Sequence, residues 1–167
     1  MKNIKIGFGG WLTIAVVVLV GLLIWQSSVA KQKKVERQAE QTSREVALTC
    51  TTDMATVYHI HPELTILFNG VVQTLPNNIG IQPNCMTSIH THSSDGVFHV
   101  EAPIAKDFTL SDFFAVWKKD FSEKRILEQD VVAPATLTVT VNGEIVTSYE
   151  NTLLRDKDTI IISYKSI

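Results

Sequence analysis

Outside residues 59–99 the chain has no histidine at all, and its cysteines are only two, Cys50 and Cys85. The absence of a Cys-x-x-Cys spacing excludes a zinc ribbon and a thioredoxin-type redox motif. Neither sign of charge dominates, with 15 basic against 17 acidic residues, and no basic patch is interleaved with aromatics. Nucleic-acid binding therefore lacks electrostatic support. No nucleophile elbow, phosphate loop or internal repeat is present. What remains is a chain of 167 residues, enough for one modest domain plus attachments.

Charge is also missing from one long stretch. After Lys2 and Lys5 none appears until Lys31, and Trp11 to Trp25 is almost continuously apolar. A membrane span needs about 20 such residues and a signal-peptide core about 7–15, so Ile6 to Trp25 suits either. Ser28-Val29-Ala30 offers small residues for cleavage after Ala30. The favoured reading is an uncleaved single-pass anchor contacting the membrane through residues 6–25; the alternative is a secreted domain. Lys31, Lys33, Lys34 and Arg37 follow the span and argue for a cytoplasmic domain, whereas Lys2 and Lys5 resemble the start of an export signal. Export is the expectation. In an oxidising compartment Cys50 and Cys85 can form a disulfide; otherwise Cys85 is a thiolate ligand near His90.

Residues 1–30 are thus read as anchor or signal peptide, 31–49 as a charged linker or helix, and 50–167 as the folded domain. From Val57 to Phe68 the pattern alternates, with His59, His61 and Glu63 on the polar parity. Pro62 places that strand at a sheet edge or bulge, and Asn69-Gly70 turns it back into Val71-Val72. Met86 to Glu101 reads as a second hairpin turning at Asp95-Gly96, which sets His92 opposite His99 and His90 opposite Glu101. Ile89, Thr91, Phe98 and Val100 then face the core. Leu110, Phe113, Phe114 and Trp117 recur at helical spacing after a Thr109–Asp112 approximation to a capping box. Ser122 to Gln129 adds a helical turn, Thr136–Val141 and Glu144–Tyr149 form a hairpin at Asn142-Gly143, and Thr159–Tyr164 makes a last strand. The expected class is α+β, a mixed sheet of hairpins with one main packed helix.

Four of the histidines form the pairs His59-Ile60-His61 and His90-Thr91-His92, and His99 follows. On a strand, residues two apart share a face, so each pair projects both imidazoles together. Imidazole is the commonest metal ligand and is mostly neutral near pH 7. The candidate ligands are His59, His61, His90, His92, His99 and Glu101, the last as ligand, as an acceptor orienting an imidazole, or as a surface charge. Glu63 is a weaker candidate for those roles, and Met54 and Met86 can supply thioether to Cu⁺. This donor set suits a transition metal ion, zinc or copper foremost, rather than Ca²⁺ or Mg²⁺.

The C-terminal half resembles the β-grasp, or ubiquitin-like, superfamily through the Leu110–Trp117 helix, the Asn142-Gly143 hairpin and the run Leu153-Leu154-Arg155-Asp156-Lys157-Asp158-Thr159-Ile160. That run looks like the end of sulfur-carrier proteins of the superfamily, but their Gly-Gly tail is replaced by Ser163-Tyr164-Lys165-Ser166-Ile167, so carrier chemistry is not implied. The segment from His59 to Trp117 also resembles a small group of poorly characterised exported proteins of bacteria and archaea. The shared features are His59/His61, Ile79-Gly80, Cys85, His90-Thr91-His92 and His99-Val100-Glu101. That resemblance implies an exported metal-binding fold and no particular activity. His90 to Gly96 is similar to the first motif of polymerase-and-histidinol-phosphatase-type phosphoesterases, whose later ligands are missing here. A cupin is excluded because the Ser93-Ser94-Asp95-Gly96 turn stands where its glutamate would be.

The functional expectation is a membrane-tethered extracytoplasmic domain that binds a transition metal for handling or sensing. The alternatives are a small enzyme with a three-histidine metal site and a β-grasp interaction module that contacts a protein partner through its histidine face.

Overall fold

The computed structural model describes residues 8–52 and 56–166, with the side chains of 8–13 and 38 left aside. Met54, a thioether candidate, and the lysines at 2 and 5 lie outside the described residues. The chain divides into two compact units at Glu40/Gln41.

The first unit contains α1, Phe8–Glu40. At 1.5 Å per residue a helix of 33 residues is about 50 Å long, more than the ~30 Å of a bilayer core. Its segment Ile14–Arg37 is long and apolar enough to cross a membrane. Val17, Ile24 and Trp25 are exposed along it.

The second unit opens with α2, Ser43–Leu48, so it begins before Cys50, the boundary expected from composition. The charged segment ends in a helix because Thr42 and Glu45 form a capping box, the Thr42 N–H donating to Glu45 Oε2 at 2.7 Å. It then docks through buried Val46 and Ala47 and through Arg44 Nε, which donates to Asp112 Oδ1 at 2.7 Å. Next come β1 (Cys50–Thr51), β2 (Tyr58–Ile60), β3 (Glu63–Phe68) and β4 (Val71–Gln73). They are followed by β5 (Ile81–Gln82), β6 (Cys85–Thr87), β7 (Ile89–His90) and β8 (His99–Ala102). The remaining elements are α3 (Leu110–Trp117), β9 (Phe121–Ser122), β10 (Arg125–Ile126), β11 (Gln129–Asp130), β12 (Thr136–Val141), β13 (Glu144–Val146), a 3₁₀ turn at Tyr149–Asn151, and β14 (Thr159–Lys165).

The main sheet has the order β13-β12-β14-β3-β4. Its central pair, β14 and β3, is parallel, with Ile160 beside Leu64 and Ile162 beside Ile66; the other pairs are antiparallel. Those four side chains join Val139 of β12 and Phe113 and Phe114 of α3 in one core. The aromatic face of the helix is therefore buried in that core, as its spacing requires. Its start is capped by Asp112, whose Oδ2 accepts from the Thr109 N–H at 3.0 Å, and its end by Lys118 in the left-handed region.

Three local expectations are corrected. Val57–Phe68 is not one strand: after β2 the chain passes His61 and Pro62 and enters a different sheet as β3. Pro62 has no N–H for a ladder, so the break falls there. Ser122–Gln129 is no helical turn but lies in the meander β9-β10-β11, with Leu127 at φ 52° and Arg125 bonded to both Asp120 and Asp130. The strand expected to reach Tyr149 ends at Val146 and gives way to the 3₁₀ turn.

Candidate metal centre

His59, His90 and His99 sit on a second, three-stranded sheet of order β2-β8-β7, with His61 just after β2 and His92 in the loop after β7. Strand β8 is central and presents His99 and Glu101 on one face. His90 of β7 lies opposite His99, and His59 of β2 lies opposite Glu101. On the other face Ile60, Val100 and Ile89 line up across the same three strands, all buried. A polar face of imidazoles is thus backed by core.

The register differs from the expected one. His90 pairs with His99 rather than Glu101, and residues 91–98 form a long loop instead of a two-residue turn. The loop is drawn onto β3: the Leu64 N–H donates to the Gly96 carbonyl at 2.9 Å and the Phe98 N–H to the Pro62 carbonyl at 3.1 Å. Gly96 has φ 96°, and a Cβ there would stand 2.8 Å from the Leu64 oxygen, so only glycine permits the approach. Asp95 closes the loop by accepting from the Ser93 hydroxyl and the Val97 N–H, bonds that hold its carboxyl below the usual range. Since the slip is by two residues, each side chain keeps its face. The predicted core positions Ile89, Thr91, Phe98 and Val100 are all fully buried.

Two groups of three histidines bring ligand atoms within 4.8 Å of one another: His59, His61, His99 and His90, His92, His99. His99 belongs to both. In the first group His59 Nε2 lies 3.2 Å from His99 Nδ1 and 3.1 Å from Glu101 Oε1, and His99 Nδ1 lies 3.7 Å from the same oxygen. His59 and His61 keep 40% of their side-chain surface in solvent. In the second group the ring centroids are 4.8 Å apart for His90–His92, 4.9 Å for His92–His99 and 5.3 Å for His90–His99.

His90 is the decisive member. It is fully buried, and burial pushes its pKa below the ordinary imidazole value, so the ring is neutral near pH 7. Its Nδ1 lies 3.1 Å from the Thr87 carbonyl oxygen. A carbonyl only accepts, so Nδ1 carries the proton and Nε2 holds a lone pair. That Nε2 is the one buried side-chain polar atom among the described residues with no hydrogen-bond partner. His99 is also shifted downward, first by desolvation and then by the charges of His90, His61 and His92 around it.

The expected Cys50–Cys85 disulfide and several residues that the sequence does not single out hold this geometry. Cys50 and Cys85 form a disulfide, which joins β1 to the start of β6 and sets Cys50 opposite Thr87. The bonded pair leaves no Cys85 thiolate for a metal. Thr91 Oγ1 donates to the Pro76 carbonyl at 2.7 Å and accepts from the Ile79 N–H at 3.0 Å, pinning the residue between His90 and His92. Gly80 has φ 73°, and a Cβ would come within 2.3 Å of both the Ile89 oxygen and Thr87 Oγ1; its lack of one lets this segment lie against β6 and β7. Asp156 Oδ1 accepts from the His61 N–H at 2.9 Å and stands 3.5 Å from His61 Nδ1, and its carboxyl is held below the usual range chiefly by that backbone bond. Asp156 is an ordinary residue in the sequence, and only the fold brings it to the histidines. The weaker candidates stand apart: Glu63 is exposed and bridged to Val97, and Met86 lies in the cystine sheet opposite Thr51 and Ile81.

The two histidine groups, with a carboxylate nearby, could hold a metal ion. Comparison with protein-family models, curated proteins and solved structures gives no match to this chain.

Proposed function

We propose that the chain is a membrane-tethered, extracytoplasmic protein that binds a zinc or copper ion through its histidine cluster in order to handle or sense it. The observation that carries this reading is His90 Nε2, a lone pair buried without a partner beside two further imidazoles. Leaving such an atom unsatisfied costs roughly 1–3 kcal/mol, a cost that a bound cation removes. The Thr87 carbonyl on Nδ1 is the kind of outer partner that fixes the tautomer of a metal-ligating histidine. An oxidising compartment is supported by the Cys50–Cys85 disulfide, and tethering by the apolar α1. The strand order, with a parallel central pair and one packed helix, supports a β-grasp-like frame for the site. The proposed kinship with exported proteins bearing His-x-His and His-Thr-His rests on those motifs in this chain.

The test is elemental analysis of the untagged full chain purified in mild detergent. About one zinc or copper per chain is expected, lost in a His90→Ala/His92→Ala variant. A chain that remains metal-free after loading with both ions overturns the reading.

A further inference from the structure

The shared position of His99 has a kinetic consequence, which rests on the metal reading above. We propose that one ion moves between two overlapping sites: His59, His61 and His99, with Glu101, take it up, and His90, His92 and His99 retain it.

The two halves differ in access. His59 and His61 are 40% exposed at the side chain, whereas the second group joins an exposed His92 to a fully buried His90. The first group thus has no fully buried ligand, whereas the second is completed only when an ion reaches His90. The spacings of His59 Nε2, His99 Nδ1 and Glu101 Oε1, at 3.1, 3.2 and 3.7 Å, also fit one coordination shell. Metal–ligand bonds of about 2.0–2.1 Å in a tetrahedron put neighbouring donors about 3.3–3.4 Å apart. The Glu101 carboxylate adds the negative charge that draws a dication in.

The inner half offers a different advantage. The His90 lone pair has no competing partner, so it exchanges a buried unsatisfied atom for a metal bond. His59 must instead give up its contacts with Glu101 and His99. Retention therefore favours the inner ligands and capture the outer ones. Transfer breaks the metal bonds to His59, His61 and Glu101 and forms bonds to His90 and His92 while His99 stays bound, with no change of oxidation state. A neutral imidazole has only one lone-pair nitrogen at a time, so His99 serves one ion, and the two sites are not filled together.

The experiment uses the full chain in detergent, with zinc alone as probe, and reads stoichiometry, affinity and rates of loading and release to a chromophoric chelator. Wild type is expected to bind one ion. His59→Asn/His61→Asn should still bind one ion but load about tenfold more slowly. His90→Ala should load at the wild-type rate yet bind at least about tenfold more weakly, in the range of roughly 10–100-fold seen for perturbed metal sites. Should the double variant fail to fold by circular dichroism, Glu101→Gln replaces it, with slower loading and retained binding expected. Loading rates unchanged in the outer variants, or two ions bound at once by wild type, overturn the transfer while leaving metal binding intact. Failure of wild type to bind zinc or copper at all overturns the metal reading itself.

Discussion

The main sheet and the histidine sheet are stabilised in different ways. In the main sheet the strands are long and continuously registered: β12 follows β14 from Thr136 opposite Lys165 to Val141 opposite Ile160, and β14 follows β3 from Thr159 beside Glu63 to Tyr164 beside Phe68. Alternate residues are buried, so apolar burial and backbone ladders suffice. In the histidine sheet β7 contributes only Ile89 and His90, and one face is occupied by imidazoles. Its geometry depends on attachments from outside the ladder: the cystine, Thr87, Thr91, the loop seated on β3, and Asp156. Short strands with a polar face hold position only when other parts of the fold constrain them. The main sheet is a frame, and the histidine sheet is held in place by it.

That contrast can be broken most severely at the joint. Phe98, at the end of the histidine loop, packs on Phe113 of α3 with ring centroids 4.5 Å apart, both fully buried. Phe113→Ala should cost about 3–5 kcal/mol and weaken both sheets together. Chemical denaturation should show one cooperative transition at lower denaturant, with zinc capture lost in the same step. Removing the disulfide should separate the two regions. Cys50→Ser/Cys85→Ser, opening a link between residues 35 apart, is expected to cost about 2–5 kcal/mol. Hydrogen exchange should then accelerate at Thr87 and His90 much more than at Ile160 and Ile162. Equal acceleration at both would contradict the idea that the smaller sheet relies on its attachments.

Smaller changes sharpen the comparison. His90→Ala should weaken metal binding by at least roughly 10–100-fold while the main sheet keeps its amide protection. The pH dependence has a definite sign. Desolvation lowers the pKa of His90 and His99 in the folded chain, so the unfolded chain takes up protons first as pH falls below about 6.5. The metal-free protein should therefore lose stability on acidification through that range, and the loss levels off below the folded-state values. A urea midpoint that rises from pH 7 to pH 5.5 would show that these imidazoles are not desolvated. The least effect is expected at the edge of the main sheet, where Val71 is 64% exposed: Val71→Lys should change stability within about 0.5 kcal/mol.

Alternation in Leu64–Ile66 and in Thr136–Val141, the Asn-Gly turns and the i, i+3, i+4, i+7 aromatics of α3 each act through neighbours in the chain, and all were legible. So was the shared face of His59, His90 and His99, because side-chain parity survives a two-residue slip. The partners of those strands were not legible. Pro62 marks a local interruption, but nothing local says that β3 then lies parallel to β14, or that residues 91–98 stretch to meet Leu64. The helical turn expected at 122–129 failed for the same reason: short segments without strong periodicity take the form that their tertiary bonds select, here those of Arg125 to Asp120 and Asp130.

By itself, then, the sequence determined that this chain has a long apolar segment, one amphipathic helix, hairpins and a set of imidazoles of common parity within residues 59–99. Periodicity and composition are properties of neighbouring residues, and they carry that information directly. Only the tertiary structure decided which imidazoles converge, that His99 belongs to both groups, and that His90 is buried with its Nδ1 on Thr87 and its Nε2 free. Burial and hydrogen-bond satisfaction are set by residues distant in the chain, and those two quantities distinguish a ligand from a surface histidine.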